Sequence, residues 1–69
     1  MLGEIATRLE ANRPDKAFTA VSRIAVIQAT TMDPVLGRAL RDLAPDVIGE
    51  TTRRAYAAQL RQVLAGGVR

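Results

Sequence analysis

The chain has 69 residues, 48% of them hydrophobic and 3% aromatic, with ten basic and seven acidic side chains and a net charge of +3. That is a single domain, residues 1–69, near the lower size at which one apolar core holds without disulfides, metals or a partner. With no cysteine and no histidine, disulfides, thiolate chemistry, zinc fingers and histidine-centred acid/base or metal catalysis are excluded.

The opening stretch, MLGEIATRLE, carries an acidic residue at position 4 and no apolar run, which is not the pattern of a secretory signal. No segment approaches the ~20 apolar residues needed to cross a bilayer, so a soluble, cytoplasmic chain without a membrane partner is expected. Leu2, Ile5, Ala6 and Leu9 repeat at the i, i+3, i+4, i+7 spacing of an amphipathic helix. It should end near Asn12, because Pro14 disfavours helical geometry in the residue before it. Pro14 and Asp15 then suit the first turn of a second helix, where a missing N–H costs nothing and a carboxylate meets the positive dipole end.

That second helix is expected to run through KAFTAVSRIAVIQAT. It is apolar almost all round, as a buried central helix would be. A strand over its β-branched part would have no second strand-like run to pair with. Asp33-Pro34 pairs an N-cap with proline at the first helical position, and Val35, Leu36, Ala39, Leu40 and Leu43 form the stripe of a third helix ending before Pro45. Residues 44–51, APDVIGET, read as a turn or a single helical turn that lets Val47 and Ile48 tuck inward. From Thr51 the helical pattern resumes to Leu64, with Gly66-Gly67 as its stop. The expected fold is an all-α, small four-helix domain with short connections.

Charge is unevenly placed along these elements. Residues 1–50 hold six basic and seven acidic side chains, whereas residues 51–69 hold Arg53, Arg54, Arg61 and Arg69 and no acid. At ~100° per residue, Thr52, Tyr56, Leu60 and Val63 share one face of the last helix, the face that should be buried. Arg54 and Arg61 point away from it with Ala57 and Ala58 beside them, a shallow floor between two guanidiniums, and Arg53 lies on the edge. Two arginines in a first turn face the positive end of the helix dipole, and an anion there would meet free N–H groups as well as both side chains. Thr51, Arg53, Arg54 and Arg61 are therefore the candidate contacts to duplex phosphate. With the preceding helix this segment also has the layout of a helix-turn-helix.

The spacing Thr52-x-x-x-Tyr56-x-x-x-Leu60-x-x-Val63 resembles the first helix of the N-terminal core-binding domain of tyrosine recombinases (phage-integrase type). The resemblance covers only the C-terminal third of the chain. It implies a helical domain that clamps DNA, with Thr52, Tyr56 and Leu60 as framework and the intervening arginines near phosphate. It does not extend to recombination, since the family's catalytic set includes a histidine and the sole tyrosine here, Tyr56, is a framework position.

Thr30, Thr31 and Asp33, or Asp42 and Asp46, are the groups to weigh as a metal or acid/base site, but a pair of carboxylates four apart across a proline is more often a cap and a solvated surface residue. No catalytic residue, cofactor site, metal site or glycine-rich phosphate loop is expected. With two aromatics in the chain there is no series to stack single-stranded bases. The sequence thus points to a small non-enzymatic DNA-binding or accessory protein acting on double-stranded DNA, with a homodimer as its expected form. The alternative is a helical module for protein interaction or homo-oligomerisation, in which helix two or the Leu36/Leu40/Leu43 edge buries against another chain. The two readings differ in Arg54 and Arg61, which meet phosphate in the first. In the second they ring an interface or pair with the Glu4/Glu10 face.

Overall fold

The computed structural model describes residues 2–66. In chain order it has α1 (Leu2–Ala11), α2 (Ala20–Thr30), α3 (Pro34–Leu43) and α4 (Arg53–Leu64), with no strand among the described residues. The all-α four-helix expectation holds. Met1 and Gly67, Val68 and Arg69 lie outside the described residues.

α1 buries Leu2, Ile5, Ala6 and Leu9, the stripe its spacing specifies. It packs most closely on α4, which buries Tyr56, Ala57 and Leu60. Gly3 approaches Leu64, Thr7 and Glu10 meet Arg61, and Asn12 meets Arg53, so the two helices run antiparallel. Ala6 and Ala57 expose no surface at all, and such small side chains let two helix axes come close. Ala57 is therefore a packing residue of the core, not part of an outer floor beside Arg54 and Arg61.

The chain does not restart as a helix at Pro14. Residues 14–18 instead lie alongside the head of α4, with an antiparallel bridge between Ala17 and Thr52. The Phe18 N–H donates to the Thr51 carbonyl at 2.9 Å, and the N–H groups of Arg53 and Arg54 donate to the Lys16 and Pro14 carbonyls at 3.0 and 2.9 Å. Arg13, at φ 47 in the left-handed region, makes the reversal that brings these carbonyls round. The pairing also delivers Phe18 to the core, where its ring stacks on Tyr56 with centroids 4.4 Å apart. Tertiary hydrogen bonds and one aromatic anchor thus override the local helix signal. α2 starts only at Ala20, with the Thr19 hydroxyl accepting from the Ser22 N–H.

α2 is not the buried central helix that its composition suggests. Among its residues only Ile27 is buried, with Val26 partly so. It packs on α3, which is capped at Asp33, whose Oδ1 accepts from the Val35 and Leu36 N–H groups, with Pro34 at its first position. α3 in turn buries only Leu40. The connection after it is extended, without a helical turn. Neighbouring residues there point to opposite sides, so Val47 packs on the core while Ile48 is exposed. Gly49, at φ 67, makes the turn back, and Thr52 caps α4 by accepting from the Ala55 N–H at 3.2 Å. α4 thus begins two residues after Thr51. It ends at Leu64, and Gly66, φ 79, lies in the turn just beyond.

Within the α2–α3 pair the main side-chain tie is Arg23. Its side chain is 14% exposed and reaches from α2 to the C-terminal end of α3. There Nη2 donates to the Arg41 and Ala44 carbonyls at 2.7 and 3.2 Å, and Nε donates to the Pro45 carbonyl at 3.1 Å. A guanidinium at this end satisfies carbonyls that the helix leaves unpaired and meets the negative end of its dipole. The Tyr56 hydroxyl donates to the same Pro45 oxygen at 2.6 Å. No buried side-chain nitrogen or oxygen among the described residues lacks a partner.

Tyr56→Phe removes one donor from a carbonyl that keeps another, and should cost about 0.5–1.5 kcal/mol in urea unfolding. Burial raises the Tyr56 pKa above its ordinary value of 10.0. A raised folded-state pKa gives stability that is complete below the unfolded value and lost as pH rises beyond it. Wild type should therefore lose stability above pH 10, and Tyr56→Phe should lack that component. Arg13→Gly relieves a left-handed residue costing ~1–2 kcal/mol, against a glycine entropy penalty of ~0.5–1 kcal/mol. The variant should be more stable by roughly 0.5–1 kcal/mol in the same assay.

Candidate functional site

The four residues expected to meet phosphate are all close to the α4 surface, but each is engaged within the chain. Thr51 accepts the Phe18 N–H through its carbonyl. Arg53 is half-buried and donates from Nε to the Asn12 carbonyl at 2.8 Å. Arg54 is exposed, with Nη2 3.3 Å from Asp15 Oδ1. Arg61 grips Glu10 with two atoms, Nε to Oε2 at 2.9 Å and Nη2 to Oε1 at 2.6 Å, and its Nη2 also reaches the Thr7 hydroxyl at 3.2 Å.

The first-turn N–H groups of α4 are spent as well. Those of Arg53 and Arg54 go to Lys16 and Pro14, and that of Ala55 goes to Thr52. An anion at this helix head would find no free donor among the three, which corrects the expectation that Arg53 and Arg54 flank open N–H groups. Arg54 and Arg61 do not form a pair either. Arg54 clasps the 14–18 segment through Asp15, a partner that neither reading names, and Arg61 clasps Glu10 of α1. The helix-turn-helix layout is not what packs, because the close helix pairs are α1 with α4 and α2 with α3. Thr52, Tyr56 and Leu60 do serve as framework, through a cap, a ring stack with a hydrogen bond, and burial.

The surface that stands out lies on the other helix pair. Val21 of α2 is 75% exposed, Met32 in the α2–α3 connection 97%, and Val35 and Leu43 of α3 77% and 58%. Ile24 and Leu36 are also exposed. A groove of about 340 Å³ runs between the helices, lined by Ile24, Ile27, Gln28, Met32, Gly37 and Arg41. Ile24 and Ile27 make its α2 side largely apolar, and its lining also carries Gln28, Asp33 and Arg41. Several large apolar side chains left exposed on two neighbouring helices of a small chain point to a contact surface. Its sequence signal is the all-round apolarity of α2, a pattern that burial within the chain and exposure at a contact surface share. Arg23 had no comparable signal, since its carbonyl partners at positions 41, 44 and 45 come together only in the fold. No group of three or more carboxylates among the described residues is arranged to hold a metal. No described helix is long and apolar enough to cross a membrane.

The Arg61 guanidinium holds the Glu10 carboxyl below the usual carboxylate range, and Glu10 raises Arg61 in return. A depressed folded-state pKa gives stability that is present above the unfolded value and lost as pH falls through the folded one. In thermal melts from about pH 7 to about pH 3, wild type should lose midpoint temperature more steeply than Glu10→Gln. Equal slopes would show that the clasp contributes nothing in solution.

Comparison with protein-family models, with curated proteins and with solved structures finds no match to this chain.

Proposed function

We propose that the chain is a small non-enzymatic interaction module that self-associates through the apolar surface of α2 and α3. One observation carries this: the two helices place only Ile27 and Leu40 in the core, while Val21, Ile24, Val35, Leu36 and Leu43 face solvent. A helix whose apolar side chains are left in water gains stability when another polypeptide covers them, at roughly 25 cal/mol per Å² of apolar surface removed. Duplex DNA, the partner suggested by charge, has no comparable support. The α4 arginines already hold Asn12, Asp15 and Glu10, and displacing those contacts would offset what phosphate adds.

Sedimentation velocity over about 1 μM to about 1 mM tests the reading, a range that spans weak and intermediate affinities. Wild type should shift from monomer toward a larger species, and Leu43→Glu, at an exposed position, should stay monomeric with unchanged helicity. A strict monomer throughout would overturn self-association. Duplex mobility at ~50 mM salt should be unaffected by the protein, and a salt-sensitive shift lost in Arg54→Ala/Arg61→Ala would favour the DNA reading instead.

A further inference from the structure

We infer that the partner covering this surface is a second copy docked α3 against α3 in antiparallel orientation about a two-fold axis, with Arg38 of each copy facing Asp42 of the other. The inference rests on the self-association reading and specifies its geometry. At ~100° per residue, Leu40, Leu36, Leu43, Ala39 and Val35 follow one another around α3 over an arc of about 140°. Leu40 is at the buried end of that arc and the other four are exposed. Leu36, Ala39 and Leu43 repeat at the three- and four-residue steps of a helix-packing seam, with a small residue in its middle that lets a second helix approach closely.

Charge selects the partner. Arg38 and Asp42 lie on the same outer flank of the strip, two residues before and two residues after Leu40. Neither makes an ion pair or a side-chain hydrogen bond among the described residues. Their order, base before acid, is the less favourable one for pairing along a single helix. A two-fold axis level with Leu40 places Arg38 opposite Asp42 of the second copy, and by symmetry the pair forms twice. Leu36 then lies near Leu43 of the other copy, so the apolar residues and the charges share one register. This self-complementarity is what an isologous interface requires. A parallel two-fold pair would place the Arg38/Asp42 flanks of the two copies on opposite sides of the interface, and the ion pairs would not form. The seam lies on a helix of ten residues, about 15 Å long, less than the ~800 Å² per partner of a standard interface needs, so the association is weak and concentration-dependent.

Charge reversal tests the geometry without touching the core, since both side chains are exposed. Arg38→Asp alone sets acid against acid, and Asp42→Arg alone sets base against base. Each should weaken dimerisation about tenfold in sedimentation equilibrium, two reversed rim pairs being worth roughly 1.4 kcal/mol together. The double variant Arg38→Asp/Asp42→Arg, and an equimolar mixture of the two single variants, should recover wild-type affinity. Circular dichroism of each variant checks that helicity is kept. If wild type dimerises but the single variants do so equally well, or the double variant fails to recover, this docking is wrong while self-association stands. If wild type is monomeric to about 1 mM, both fall.

Discussion

The fold depends on one carbonyl. Pro45 follows the end of α3, and its oxygen receives the Arg23 guanidinium from α2 and the Tyr56 hydroxyl from α4. Both donors are side chains of the kind that carry an apolar body to a polar tip, so the junction is polar at its centre and apolar around it. The Tyr56 ring stacks on Phe18, and Phe18 is held by the N–H that it donates to Thr51. Three chain segments far apart in sequence therefore meet within two side chains of the same oxygen. The Arg23 guanidinium, which also takes the Arg41 and Ala44 carbonyls, fastens α2 to the C-terminal end of α3, and the Tyr56 hydroxyl fastens that end to α4.

That arrangement explains why the basic helix faces inward in its chemistry even where its side chains reach water. The 14–18 segment must lie beside the head of α4 to insert Phe18, and in doing so it supplies carbonyls to the N–H groups of Arg53 and Arg54. The positive end of the helix then has backbone oxygens, and the Asp15 carboxylate near Arg54, as its counter-charge. Arginine in a first turn is unfavourable by a few tenths of a kcal/mol in isolation. Here the cost is offset by the structure around it, with no external anion required.

The helices were legible wherever periodicity or capping decides them locally. The α1 stripe, the Asp33-Pro34 start of α3 and the Thr52, Tyr56, Leu60 face of α4 all follow from spacing and side-chain chemistry. What escaped was set by contacts between distant residues. Pro14-Asp15 has the chemistry of a helix start, yet residues 14–18 give their hydrogen bonds to residues 51–54. Ala57 lies nearer than Ala58 to the buried face on the helical wheel, but its full burial depends on α1 packing over it. The apolarity of α2 was plain, but pattern alone does not say whether such a helix is covered by its own chain or by another.

The distribution of burial bears on that last point. α1 and α4 together supply seven of the residues in the described core, Leu2, Ile5, Ala6, Leu9, Tyr56, Ala57 and Leu60, whereas α2 and α3 supply one each. A short helix in water draws most of its stability from packing an apolar face, and α2 and α3 have little of that face packed. They are held chiefly by their caps, by each other and by Arg23. Elements with few buried apolar contacts are those that open first. Covering the α3 strip with a second copy would add contacts to the part of the molecule that most lacks them, so that folding of the α2–α3 pair and association become linked by mass action.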